Sequence, residues 1–264
     1  MKQLQIVVCI KQVPDPEGPA SSFEVDSEAK KVVPVGIPPV INPFDENALE
    51  VALRLKEQHG AKVVAISLGE RLSKPVLRKT FAAGADDLIL LEDPSFKDLD
   101  SYSTAYMLSK MITKVESYDL ILTGRQAGDW DFGVTGLLIA EMLQIPSINL
   151  ARKVSIVDRN VFVEKLKPYG YDVVSAPMPA LVTVSSEVGE LRYTSVRSLK
   201  SVSGRPVKVY NGDDLDIDPE KLETRGVFSL FPYHIQRECK FIEGGSSAEK
   251  GENLVTQLRK NEVI

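Results

Sequence analysis

Four short apolar runs, each giving way to a helical pattern, constrain this chain more than any other feature. Residues 4–10 (Leu4-Gln5-Ile6-Val7-Val8-Cys9-Ile10), 62–68, 87–91 and 119–123 are largely apolar and rich in branched aliphatic residues. Strands buried on both faces of a parallel sheet read this way. Between them lie helical patterns. Asn42-Pro43-Phe44-Asp45-Glu46 opens one that carries Ala48, Leu49, Val51, Ala52 and Leu55, with Asn42 as its expected N-cap, Pro43 in the first turn and acidic residues at the positive dipole end. A second helix is expected through Val76, Leu77 and Phe81 with Gly84 as its cap, and a third over residues 102–114. Strands alternating with helices of this length predict right-handed βαβ units and a mostly parallel sheet.

The pattern changes after Ile148. Residues 154–157, 161–165 and 171–174 are short and alternating, with Asp158-Arg159-Asn160 between the first two, which predicts a β-hairpin or meander added to the sheet. Residues 179–184 form one more apolar strand, with Pro179 at its start. Beyond residue 201 the periodicity weakens until a helical pattern over residues 249–259. Val227, Phe228, Leu230 and Phe231 read as anchors, docking either on another molecule or back on this chain.

The candidate chemistry sits in the loop after the fourth run. Gly124-Arg125-Gln126-Ala127-Gly128-Asp129-Trp130-Asp131-Phe132-Gly133-Val134-Thr135-Gly136 links an apolar strand to a helical pattern through Leu137, Leu138, Ala140, Met142 and Leu143. A plain strand-to-helix connection needs about two to six residues. A long glycine-rich one lets backbone approach phosphate, and the helix behind it offers unpaired N–H groups. The alternative is a long surface loop without a ligand. Loop amides and Thr135 suit phosphate, Arg125 suits its charge, and Asp129 or Asp131 suits ribose hydroxyls. Either aspartate would equally serve as a helix cap. Trp130 and Phe132 suit stacking on a flat ring or anchoring in the core. With Cys9-Ile10-Lys11, residues 42–45 and Ser67-Leu68-Gly69, this loop would converge on one crevice at the strand ends.

Several classes are left without support. There is no G-x-G-x-x-G, no G-x-x-x-x-G-K-[ST], no H-E-x-x-H, no G-x-S-x-G, and no S-G-G-x-D-S loop of ATP pyrophosphatases. The two histidines, His59 and His234, lack partners in sequence, and Cys9 and Cys239 form neither a metal nor a redox spacing. With 37 acidic and 32 basic residues the net charge is −5 and dispersed, which argues against nucleic acid as a partner. The apolar run at residues 6–10 is too short for a signal peptide or a membrane span, so no membrane insertion and a cytoplasmic location, or an organelle matrix after removal of a transit peptide, are expected.

Four ordered segments carry a resemblance. Val8-Cys9-Ile10-Lys11-Gln12-Val13 resembles an opening V-x-x-K-x-V. Asn42-Pro43-Phe44-Asp45-Glu46 followed by Ala48-Leu49-Glu50 resembles N-P-F-x-E-x-A-x-E. Residues 124–136 resemble a G-[KR]-Q-A-x-D-x-D loop, and Gly189-Glu190-Leu191-Arg192-Tyr193 with Ser198-Leu199-Lys200 resembles N-E-P-R-Y and the segment after it. Together they resemble the β subunits of electron-transfer flavoproteins over nearly the whole chain.

The resemblance implies an α/β, Rossmann-like, mostly parallel sheet of the adenine nucleotide alpha hydrolase-like kind, with a β-hairpin excursion. It divides the chain into a nucleotide-binding domain, residues 1–200, and an extended C-terminal arm, residues 201–264, that docks on a larger α subunit. It implies electron shuttling between a flavin dehydrogenase, of the acyl-CoA dehydrogenase type, and a second redox partner. The carrier is an FAD shared with the α subunit. This chain would hold AMP or a second FAD at Cys9, Asn42, Pro43, Phe44, Asp45, Leu68 and residues 124–135: Gly124, Arg125, Gln126, Ala127, Gly128, Asp129, Trp130, Asp131, Phe132, Gly133, Val134 and Thr135. A second FAD would mark a flavin-bifurcating complex that oxidises NADH; a non-redox adenine-nucleotide-binding regulatory module is the alternative from another class. Arg192, Tyr193, Val196 and Leu199 match the loop that docks on the dehydrogenase, with Val196 smaller than the usual leucine anchor and residues 185–188 differing from the usual D-L-R-L. Trp130, Phe132 and Gly133 depart from both the AMP-type and the bifurcating loop.

Overall fold

The computed structural model describes residues 3–115, 117–222 and 239–264. The elements run β1 (Gln5–Cys9), β2 (Gln12–Pro14), β3 (Phe23–Asp26), β4 (Lys31–Pro34), β5 (Pro39–Ile41), α1 (Pro43–His59), β6 (Lys62–Gly69), α2 (Lys74–Leu77), α3 (Lys79–Ala83), β7 (Asp87–Glu92), α4 (Ser101–Lys114) and β8 (Leu120–Gly124). They continue with α5 (Thr135–Met142), β9 (Ser147–Val157), β10 (Asn160–Lys167), β11 (Gly170–Pro177), β12 (Ala180–Val184), α6 (Val196–Ser201), β13 (Lys208–Tyr210) and α7 (Ser247–Lys260).

One nine-stranded sheet dominates, in the order β11-β10-β9-β12-β8-β1-β6-β7-β13. β12, β8, β1, β6, β7 and β13 run parallel, and β1 sits between β6 and β8 with Val8 beside both Ala65 and Leu122. The chain first steps outward from β1 to β6 and β7, then crosses back to place β8 on β1's other side. That reversal puts a topological switch point at the carboxyl ends of β1 and β8, the place where open α/β sheets bind ligands. β9, β10 and β11 form the predicted antiparallel meander, with strands longer than the alternating stretches alone suggested.

All five residues of β1 are buried, so the strand has no solvent face and its run of Ile, Val and Cys is the composition such a site demands. α1 starts on Pro43, carries Asp45 and Glu46 in its first turn and stops at Gly60, which takes the left-handed conformation (φ 64°). Its inner face packs Leu49, Leu53 and Leu55 on one side of the sheet, each contributing about 1.5–3 kcal/mol by burial. α4 and α5 cover the other side through Met107, Met111, Ile112, Ile139 and Ala140. The expected second helix is two, α2 and α3, meeting at Arg78, whose guanidinium binds the carbonyls of Val202 (3.0 Å) and Arg205 (2.8 Å).

Two features were not read from the sequence. Between β1 and α1 the chain forms two small antiparallel pairs, β2 with β5 and β3 with β4. Beyond residue 200 it first adds β13 to the sheet edge beside β7, before α7, a helix with no buried residue. Val227, Phe228, Leu230, Phe231 and His234 lie outside the described residues. Cys9 is buried, Cys239 exposed, and both are free thiols. No helix among the described residues is long and apolar enough to cross a membrane.

Candidate functional site

The N-terminus of α1 organises the crevice. Asp45, 6% exposed, accepts two main-chain hydrogen bonds, from Lys11 N–H (2.7 Å) just past β1 and from Gly124 N–H (2.9 Å) at the end of β8. One carboxylate therefore ties together both strand ends that form the crevice. Burial pushes its pKa up to about 6, against hydrogen bonds from Lys11, Asn42 and Gly124 and the Lys11 charge that pull it down. Asn42, 1% exposed, heads α1 as expected, but its side chain makes no cap bond. It reaches across to the glycine-rich loop instead, donating to the Gln126 carbonyl (2.9 Å) and accepting from Gly128 N–H (3.1 Å). Gly124 is required by this packing: a Cβ there would sit 2.6 Å from Asp45 Oδ1 and 2.7 Å from the Phe44 carbonyl carbon.

The loop covers ten residues between β8 and α5. Lys11 Nζ grips both carboxylate oxygens of Asp129 (2.6 and 2.7 Å), and Asp131 accepts from Gln126 Nε2 (2.7 Å). Asp131 (φ 54°) and Gly133 (φ 64°) are both left-handed and turn the loop back toward the sheet. The N-cap of α5 is Val134, with no side-chain cap bond, so neither aspartate caps the helix. Thr135 is the first residue of α5. Gly136 lets that helix lie close on the strands, since a Cβ there would meet Thr123 Oγ1 at 2.6 Å. Trp130 and Phe132 do not anchor in the core: they are 49% and 64% exposed and stack on each other with centroids 5.8 Å apart. The Arg125 guanidinium lies 5.2 Å over the Phe44 ring and reaches Ser185 Oγ (3.4 Å), and Ala127 accepts the Asp131 N–H (2.9 Å).

The remaining crevice residues come from β1, the start of α1 and β6. Cys9 ends β1, its thiol pushed up by burial and by the Asp45 charge, so it is an inert packing group. Pro43 is exposed at the helix start, and Leu68 packs half-buried near the end of β6. Ser67, beside it, has a buried hydroxyl without a hydrogen-bond partner among the described residues.

Residues 188–192 lie on the flank of α1, apart from the loop, and α6 after them packs against α3. Arg192 binds Glu50 through Nε (3.0 Å), Nη2 (3.2 Å) and its own backbone N–H (3.0 Å), and binds Glu57 as well. Tyr193 and Val196 are 89% and 64% exposed, and Leu199 is half-buried in α6. The N-cap of α6 is Ser195, whose hydroxyl accepts from Ser198 N–H (3.1 Å).

Comparison with known proteins decides the family. The electron transfer flavoprotein domain model matches residues 31–209. The electron transfer flavoprotein subunit beta of Thermoanaerobacterium thermosaccharolyticum is 36% identical over 99% of this chain and 100% of its own length. The chain belongs to the electron transfer flavoprotein family. Its other relatives include the caffeyl-CoA reductase-Etf complex subunit CarD of Acetobacterium woodii, 31% identical, and the acryloyl-CoA reductase electron transfer subunit gamma of Anaerotignum propionicum, 30% identical. Each of those two covers 99% of this chain and 100% of its own length. The chain is thus an electron transfer flavoprotein subunit of the beta type, and the family is one that works with flavin.

Within this electron transfer flavoprotein subunit, sequence reasoning named the crevice residues but not how they are held. Lys11 as the partner of Asp129, Asp45 as the clasp of two strand ends and Glu50 as the seat of Arg192 were not singled out. These contacts join residues 118, 79 and 142 positions apart, beyond any local spacing rule.

Proposed function

We propose that this chain is the β subunit of a heterodimer with a larger α subunit, and that its crevice holds an adenine nucleotide, AMP or the adenylate half of a second FAD. One observation carries the reading. A ten-residue glycine-containing loop is held by the buried Asn42, and the strand end before it by the buried Asp45, at the switch point of a parallel sheet, ahead of an α5 N-terminus that no side chain caps. Rigid backbone N–H groups at such a helix start suit phosphate, and Lys11 and Arg125 supply nearby positive charge. The unpartnered Ser67 hydroxyl near the end of β6 offers a further polar contact. The donor set of these residues suits the phosphate and hydroxyl groups of an adenine nucleotide.

The electron-carrying FAD is assigned mainly to the α subunit; when bound, it supplies redox chemistry that amino-acid side chains lack. This chain's own residues bind, orient and exclude water. α7 exposes Leu254 and Val255 and buries nothing, which supports an arm, within residues 201–264, that lies on another subunit. The redox partner is proposed to be a flavin dehydrogenase or reductase acting on CoA thioesters, of the acyl-CoA dehydrogenase type. The names of the caffeyl-CoA and acryloyl-CoA reductase relatives support that class. A second reading of the crevice, implied by the resemblance, gives it a second FAD in a complex that bifurcates electrons from NADH.

Asp129→Ala combined with Thr135→Val tests the crevice. Each hydrogen bond lost to a buried ligand group costs about 1–3 kcal/mol. Adenine nucleotide released on denaturation, measured by chromatography, should fall well below one per chain. Unchanged nucleotide content overturns the assignment.

A further inference from the structure

Helix α1 does two things at once. Its first turn holds the nucleotide loop, and its outer flank holds the segment that leads to Val196. Along that flank Asn47 Nδ2 donates to the Gly189 carbonyl (2.7 Å), and Arg54 Nη1 donates to the Val188 carbonyl (2.9 Å). Glu50, 5% exposed, then receives Arg192 three times, by side chain and by main chain, while its Oε1 also accepts Arg54 Nε (2.9 Å). Among the described residues, the Arg192 guanidinium bonds to Glu50 and Glu57 on α1. The next residue, Tyr193, and then Val196 project outward.

We propose that Glu50 is the positioning residue for partner docking: through Arg192 it fixes the backbone that presents Tyr193 and Val196 to the flavin dehydrogenase. This rests on the reading that the segment around Val196 docks. A buried carboxylate that satisfies a forked guanidinium and the adjoining N–H fixes direction as well as place. Burial would raise the Glu50 carboxyl, but hydrogen bonds from Arg192 and Arg54 hold it below its ordinary value, so the clamp stays charged. Without the clamp the stretch between Gly189, which Asn47 holds, and α6, which packs against α3, samples more orientations. Apparent affinity then falls by the fraction of time the segment is competent, so a one-tenth fraction raises KM about tenfold.

The test uses the complete heterodimer of wild type, Glu50→Gln, Arg192→Lys and Val196→Ala. An acyl-CoA dehydrogenase reduced by its acyl-CoA substrate is the electron donor. Amide hydrogen exchange over residues 188–200 is read beside steady-state transfer. The expected result is faster exchange across that segment and about a tenfold higher KM in Glu50→Gln, a smaller rise in Arg192→Lys, which keeps the charge but not the fork, and unchanged kcat and adenine-nucleotide content in both. If Glu50→Gln does not fold, Arg192→Lys, with a one-third exposed side chain, carries the test alone. A raised KM in Val196→Ala with unchanged KM in the folded clamp variants overturns the role of Glu50 and leaves docking standing. Unchanged KM in all three, or no saturable transfer by wild type, overturns docking and the clamp together. A fall in kcat at constant KM also overturns it, because positioning for docking acts on KM.

Discussion

Asp45→Asn separates two forces that oppose each other at the heart of the crevice. Burial disfavours the charged carboxylate, while two main-chain N–H groups favour it, and the balance leaves the pKa pushed up to about 6 from an ordinary 3.8. A group that titrates higher in the folded chain holds its proton there longer than in the unfolded chain. Its contribution to stability is therefore fully present below pH 3.8 and is lost as pH rises through 6. That gap amounts to about 3 kcal/mol in all, of which about 2 kcal/mol is recovered between pH 7 and pH 4.5. The asparagine cannot titrate, so it lacks this slope. It also sets an NH2 group against one of the two N–H donors now served at 2.7 and 2.9 Å, leaving a buried donor unpaired at about 1–3 kcal/mol. At pH 7 the two costs are of similar size, and the variant should lie within about 2 kcal/mol of wild type. At pH 4.5 wild type should pull ahead by about 2 kcal/mol more. Urea unfolding of the purified chain at both pH values, followed through Trp130, its one tryptophan, measures this directly. Parallel pH curves refute the reasoning. So does a wild type that gains on the variant as pH rises, because the N–H bonds would then outweigh burial.

Two further outcomes follow from the loop geometry. Gly124→Ala would force a Cβ against Asp45 Oδ1 and Phe44 backbone, so stability should drop by about 1–3 kcal/mol with loss of bound nucleotide; a thermal melt within a degree of wild type would contradict it. Trp130 is half exposed on the same loop, so adenine nucleotide or FAD entering the crevice should change its emission; saturable binding by equilibrium dialysis with unaltered Trp130 emission would place the ligand elsewhere.

What the sequence made legible was whatever local pattern controls. β1, β6, β7 and β8 were readable because strands buried on both faces carry unbroken apolar runs, and the start of α1 because Asn42, Pro43, Asp45 and Glu46 mark it. The β3 and β4 pair was not, since its residues are half-buried or exposed and only four residues long on each side. Asn42 looked like an N-cap by position, and the helix does begin there. Its side chain serves the loop instead, because the Gln126 carbonyl and Gly128 N–H lie within reach across the crevice. The alternation of Trp130 and Phe132 with aspartates fitted stacking on a flat ring and anchoring in the core equally; with a left-handed turn at Asp131 and both aspartates tied down, the rings lie outside the core. Glu50 and Arg192 each stood in a recognisable motif. Their pairing depends on how segment 188–192 lies along α1, which no spacing encodes.

The most direct test of the account is the adenine count of the native complex. Co-expressed with its α subunit, purified without added nucleotide and then denatured, the heterodimer should release two adenine moieties: one from the FAD assigned to the α subunit and one from the crevice of this chain. Flavin measured on the same sample tells AMP from a second FAD. A single adenine per heterodimer, matched by a single flavin, would contradict the nucleotide-binding role of the crevice.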